Sequence, residues 1–284
     1  MKTTIITLLA LAGVAAAETI TINPLTDATT DWKYGKARNK GSNVTWNSSA
    51  GTMTATNVQW AGSYAEYTLD KAITLQNPED TMTVTFTMLS SRATGPYGGN
   101  DWGVCMTTTL IGADKALTAG YGRYDQGIII PGNDQTDAWK GHADGTGPIQ
   151  MAVSDNVDGK FFNMKETVGS DAPLTNYTEA TGVLQNNVAL TLTNTIKWDA
   201  STSQFVATIT YGDNDTVLGT ANLGETFNLK KINLSVDTGQ MYENNVLTAQ
   251  ISNLTITANL VPEPSTATLS LLALAGLAAR RRRK

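Results

Sequence analysis

Thr81-Met82-Thr83-Val84-Thr85-Phe86-Thr87-Met88 alternates without a break. Met82, Val84, Phe86 and Met88 fall on one face of an extended chain, and the threonines fall on the other. That is the signature of a strand with one face in a core and the other toward solvent. Threonine suits the outer face, because its β-branch fits a pleated, half-exposed surface. The same reading extends outward along the chain. Val188, Leu190 and Leu192 alternate with Ala189, Thr191 and Thr193, and Phe205, Ala207, Ile209 and Tyr211 alternate with Val206, Thr208 and Thr210. Ile251, Leu254 and Ile256 keep the pattern with one slip, which predicts a β-bulge. The body has no convincing amphipathic helix.

Turn-forming residues separate these runs: Gly51, Asn77-Pro78, Gly98-Gly99-Asn100, Pro131-Gly132-Asn133, Asp158-Gly159 and Gly212-Asp213-Asn214. Many short strands with turns between them predict an all-β fold, an antiparallel β-sandwich or barrel. Two architectures compete: one large jelly roll and a pair of smaller immunoglobulin-like sandwiches. The stretch NNVALTLTNTIKWDASTSQFVATITYGDNDTVLG (186–219) resembles the late hairpin of the concanavalin A-like (laminin-G-like) jelly rolls. AQISNLTITANL (249–260) resembles the last strand of that fold, which typically pairs beside the first. The resemblance implies ETITINPL (18–25) as its partner. It is one of pattern, with no diagnostic motif.

Both ends read as processing segments. MKTTIITLLALAGVAAAE has Lys2, an apolar run from Ile5 to Val14 and small residues at Ala15 and Ala17, which predicts a secretory signal peptide over 1–17. The other end is VPEPSTATLSLLALAGLAARRRRK (261–284). Pro262 and Pro264 break regular structure and make a stiff, extended junction. Thr266 to Ala279 is apolar, about 21 Å as a helix against a hydrocarbon core of about 30 Å. Ser265 and snorkelling arginines extend it, giving a transmembrane helix over 265–279. The basic end, 280–284, belongs on the cytoplasmic side. This order resembles the PEP-CTERM sorting signal of Gram-negative bacteria. The resemblance implies recognition of Val261, Pro262, Glu263 and Pro264 by an exosortase-type membrane protease after passage through the secretion machinery. It further implies a transient inner-membrane anchor, then the cell surface or an extracellular matrix linked to exopolysaccharide. It carries no activity for the body, residues 18–260.

Six of the 20 Lys+Arg and one of the 25 Asp+Glu lie in the two ends, leaving a body with 14 basic and 24 acidic residues, net −10. Such a surface repels nucleic acid and anionic lipid. Cys105 is the only cysteine, so no internal disulfide forms. Its apolar neighbours point to a core thiol rather than a reactive one.

Catalysis finds little support. His142 is the only histidine, and no Gly-x-Ser-x-Gly elbow or HExxH motif occurs. A glycoside hydrolase needs two carboxyls roughly 5–10 Å apart, and the Glu-x-Asp-x-x-Glu pattern of concanavalin-like glucanases is absent. Glu66 stands alone in Tyr-Ala-Glu-Tyr, and Asp213 and Asp215 sit in a turn. The irregular middle, 92–148, is different. Tyr97, Trp102, Tyr124 and Trp139 lie in glycine-rich loops, where aromatic faces stack on sugar rings. Asp125, Asp134, Asp137 and Asp144 crowd near Asn133, and this oxygen-rich set suits calcium. The plainer readings stay open: Trp102 as core, and the aspartates as turn formers. Trp46, Trp60 and Trp198 lie in or beside strands and read as core.

The expectation is therefore an exported, non-catalytic, carbohydrate-binding (lectin-like) module, with no cofactor other than a possible calcium ion and a glycan partner. The alternatives are a structural matrix protein without a small ligand and a polysaccharide hydrolase.

Overall fold

The computed structural model describes residues 17–26, 32–36, 44–56, 61–91, 105–121, 146–154, 175–185, 187–238 and 248–261. Among the described residues fifteen strands run in chain order: β1 (Glu18–Ile22), β2 (Trp32–Lys36), β3 (Val44–Asn47), β4 (Thr52–Thr56), β5 (Ala61–Leu75), β6 (Thr81–Ser91), β7 (Cys105–Ile111), β8 (Ala116–Tyr121), β9 (Thr146–Ser154), β10 (Thr175–Gln185), β11 (Leu190–Asp199), β12 (Gln204–Tyr211), β13 (Thr216–Gly224), β14 (Phe227–Thr238) and β15 (Thr248–Leu260). Every pairing is antiparallel. No helix occurs among the described residues. Residues 1–16 of the predicted signal segment (1–17) and the predicted transmembrane segment (265–279) lie outside them.

The strands form two sheets. The eight-stranded sheet runs β13-β12-β11-β6-β15-β4-β3, with β1 on β15 in line with β4. The seven-stranded sheet runs β10-β9-β8-β7-β14-β5-β2. A single core fills the space between them. The alternating stretch that opened the reading supplies its centre: Met82, Val84, Phe86 and Met88 are all buried, with half-buried threonines behind them. Phe205 meets Trp198 edge to face across the β11–β12 pair, ring centroids 5.3 Å apart. Full burial of a side chain such as Phe86 or Phe205 contributes roughly 1.5–3 kcal/mol. From the other sheet come Met106, Leu110, Leu117, Met151, Ile232, Leu234 and Val236.

The slip in the last strand is a bulge. Its register on β6 shifts between Ser252 and Thr255, and Asn253 takes φ +54°. Asn tolerates that left-handed conformation better than most residues. The bulge turns Leu254 back into the core. β1 pairs beside β15, Glu18 opposite Leu260, as the jelly-roll pattern implied. Val188, expected on a buried face, instead precedes β11 and is 49% exposed. Its N–H closes a turn onto the Gln185 carbonyl, and Asn187 before it sits at φ +60°.

Strand registers sort the connections to two poles. Residues 57–60 join β4 of one sheet to β5 of the other and reach at most roughly 18 Å. A strand as long as β6 is roughly 36 Å, so a link of that size cannot run from pole to pole. The ends of β4, β6, β7, β8, β9 and β10 therefore gather at one pole, where Ser91 pairs with Thr248, Met106 with Tyr121, and Gln185 with Thr146. The turns at 76–80, 112–115 and 200–203 lie at the other pole, together with Val261.

Candidate functional site

The seven-stranded sheet carries polar side chains on the face turned away from the core. Ile232, Leu234 and Val236 of β14 point inward, so Lys231 and Asn233 point outward. Register sets Asn233 opposite Glu66 of β5 and Thr109 of β7, and Thr109 opposite Thr118 of β8. At roughly 4.8 Å per strand, Glu66, Asn233, Thr109 and Thr118 make a row about 14 Å long across four strands. The Thr109 and Thr118 hydroxyls share a hydrogen bond of 2.9 Å. Lys231 Nζ donates to Glu66 Oε1 at 3.0 Å. Asn233 is 0% exposed, and among the described residues neither its amide nitrogen nor its oxygen has a partner. A buried, unpaired amide costs about 1–3 kcal/mol, so this one needs an explanation.

This outer face is not a solvent face. Thr109 is 3% and Thr118 1% exposed, and Thr107 is buried as well. Gly120, in the same strand as Thr118, has φ +136°, and a Cβ there would stand 2.2 Å from the Met106 carbonyl oxygen. Chemically the row offers one carboxylate, one amide and two hydroxyls, a set that both donates and accepts hydrogen bonds. Within it Glu66 is the only carboxylate, and Lys231 neutralises it, so the row holds no acid/base pair. Among the described residues no group of three His, Cys, Asp or Glu side chains could hold a metal ion.

The aromatic set Tyr97, Trp102, Tyr124 and Trp139 lies outside the described residues, and so do Asp125, Asp134, Asp137 and Asp144. Their flanking strand ends are described. Segment 92–104 joins Ser91 to Cys105, and segment 122–145 joins Tyr121 to Thr146. Both segments therefore leave from the same pole. They adjoin β7 and β8, the neighbouring strands that carry Thr109 and Thr118. Cys105 begins β7 by its backbone, and its side chain lies outside what is described. Glu66, isolated in the sequence, has its partner in Lys231, 165 positions away.

The tryptophans mostly bear out their reading. Trp46 and Trp198 are partly buried against the core, and Trp60 is outside the described residues. Trp32, which the sequence reading passed over, is buried, donates to the Pro24 carbonyl at 2.8 Å and tilts against Tyr67 at 5.3 Å. Trp46 donates to the next carbonyl, Leu25, at 3.1 Å. The polar row was missed for a readable reason: Met106-Thr107-Thr108-Thr109-Leu110 has no charge to mark either face, and both faces are buried.

At the opposite pole the last described residue is held by one turn. Asp80, buried, accepts from the N–H groups of Gln76 (2.9 Å) and Asn77 (2.8 Å) through Oδ2 and from that of Val261 (2.7 Å) through Oδ1. Asn77 Nδ2 donates to the Val261 carbonyl at 3.0 Å. Of the sorting motif, Val261 is described, and Pro262, Glu263 and Pro264 lie beyond the described residues. Among the described residues no helix is long and apolar enough to cross a membrane.

Residues 260–284 match the PEP-CTERM protein-sorting motif. The chain is thus an all-β antiparallel sandwich followed by a sorting motif, which implies export and membrane-anchored sorting. Among solved structures it is similar to an endo-1,3-beta-glucanase from Streptomyces sioyaensis, with 12% identity over 87% of this chain and 98% of that one and a TM-score of 0.48. It is also similar to the carbohydrate recognition domain of Emp47p (9% identity, 85% and 95% covered, TM-score 0.44) and to lectin II from Ulex europaeus (11%, 87% and 100%, 0.41). At these scores the likeness carries no activity with it. No curated protein matches the chain.

Proposed function

We propose that the body is a non-catalytic carbohydrate-binding module, delivered to the cell surface or extracellular matrix by an exosortase-type protease acting on its tail. The observation that carries this reading is the mid-sheet row Glu66–Asn233–Thr109–Thr118, its amide without a partner among the described residues, on sheet strands of which β7 and β8 lead at one pole into the aromatic segments. Asn233 is 0% exposed, so a sugar would reach it only once the outer face opens, and its hydroxyls, which both donate and accept, would then meet what the amide requires. Tyr97, Trp102, Tyr124 and Trp139 would add stacking faces from the same pole. Asp125, Asp134, Asp137 and Asp144 would supply oxygen ligands for calcium.

The test is a glycan array probed with the folded body (residues 18–261), with calcium and again with a chelator. Binding to one class of neutral glycan is expected, weakened at least tenfold in Asn233→Leu. The thermal midpoint of that variant should hold or rise, because it removes an unpaired buried amide. Loss of binding in the chelator arm alone would assign a role to the aspartates. The burial of the row favours a second reading, a structural matrix protein whose outer face is closed. Silence on the array from protein shown to be folded would select it.

A further inference from the structure

Val261 opens the Val-Pro-Glu-Pro stretch and is the last described residue tied to the sandwich. Pro262 has no N–H to extend the β15 ladder, and it biases Val261 toward extended backbone. The strand must stop there, and its final N–H and carbonyl would be left without partners. The turn between β5 and β6 meets both needs. Asp80 takes the Val261 N–H at 2.7 Å, and Asn77 donates to its carbonyl at 3.0 Å. The same carboxylate accepts from the Gln76 and Asn77 N–H groups, while the Asp80 N–H bonds the Asn77 carbonyl at 2.8 Å. The turn is therefore braced by hydrogen bonds of its own as well as by those to the strand end. The hydrogen bond from Val261 to a buried carboxylate is charge-assisted, about twice as strong as a neutral one.

We infer that the Asn77–Asp80 turn is a latch on the sorting junction: it keeps the chain through Val261 folded and offers a processing protease only the segment from Pro262 onward. A protease binds its substrate as an extended strand, and a residue whose N–H and carbonyl are both engaged cannot enter such a site. The mature C-terminus then falls at or after Val261, and β15 stays whole with its pairings to β1, β4 and β6. The part of this inference that concerns maturation rests on the sorting function proposed above. The latch itself does not.

Thermolysin, which cleaves before Leu and Val, tests the latch on the full-length chain in detergent, with fragments assigned by mass spectrometry. The bonds before Leu260 and Val261 should resist in the wild type. They should be cut at least tenfold faster in Asn77→Ala and Asp80→Asn, with cleavage rates elsewhere unchanged. Asn77→Ala removes one side-chain bond and spares the turn's carboxylate, so it guards against a variant that simply fails to fold. Equal resistance in the wild type and both variants overturns the latch, and so does a mature C-terminus upstream of Val261 in protein recovered from an exosortase-bearing host. An uncut tail in that host overturns the sorting reading instead, and the thermolysin pattern still decides the latch.

Discussion

The outer faces of the two sheets are built from the same residue and live in different environments. On the eight-stranded sheet, Thr85 and Thr87 of β6 stand opposite Thr193 and Thr191 of β11, half-exposed, with hydroxyls 3.4 and 3.2 Å apart. On the seven-stranded sheet, Thr109 and Thr118 stand opposite each other at 2.9 Å, fully buried. Threonine on the first face keeps a strand soluble. On the second its hydroxyl is committed, because no water replaces a lost partner. The same strand chemistry thus makes an ordinary surface on one side of the molecule and a candidate recognition face on the other.

The sharpest way to break this contrast is Gly120→Ala on the buried face. A left-handed φ costs a side chain about 1–3 kcal/mol, and its Cβ would meet the Met106 carbonyl oxygen at 2.2 Å. A loss of about 3 kcal/mol or more is expected in denaturant titration, and a variant as stable as wild type would show that β7 and β8 are not held as described. Thr109→Val should cost about 1–3 kcal/mol by stranding the Thr118 hydroxyl. Thr193→Val, the matched change on the open face, should stay within about 0.5 kcal/mol. Equal costs for the two would erase the distinction between the faces.

The Glu66–Lys231 pair is an intermediate case, since Lys231 is 38% exposed. A double-mutant cycle with Glu66→Gln and Lys231→Met should return a coupling of about 0.2–1 kcal/mol that shrinks in high salt. A coupling of several kcal/mol would mean that the pair is far more shielded than its exposure implies. The smallest effect belongs to the open sheet, at the β11–β12 turn. The Ser201 hydroxyl and then its N–H, both bonded to Asp199, hold that carboxyl below its ordinary value of 3.8. A lowered folded value makes the contribution present at neutral pH and lost as pH falls below 3.8 toward the folded value. The stability gap between wild type and Asp199→Ala should therefore close on acidification. A gap that persists at low pH would remove the carboxylate from the explanation.

Alternation made the open sheet readable. Met82 to Met88, Phe205 to Ile209 and the slip before Leu254 each declared a face, because one side of those strands touches water. The buried sheet gave no such signal. Thr107, Thr108 and Thr109 are all enclosed, so polarity no longer distinguishes inside from outside. Asn233 looks like any outward polar residue of a half-exposed strand, and only its full burial on the outer face, with no partner among the described residues, marks it. The sorting tail was legible for the opposite reason: motif, apolar run and basic end are contiguous, so no folding is needed to assemble them. The grip on its first residue was not legible, since Asn77 and Asp80 lie about 180 positions away from Val261.

The pairing of β1 with β15 bears on the order of folding. Glu18 meets Leu260, so the first described strand has as its partner the last described strand. Loop closure over such a separation is entropically expensive, and topologies rich in distant contacts fold slowly. The eight-stranded sheet cannot be completed before β15 has been made. That sheet therefore stays incomplete until β15 arrives. Closure of the sheet then brings both ends of the sandwich to the same pole, with the sorting segment next in line.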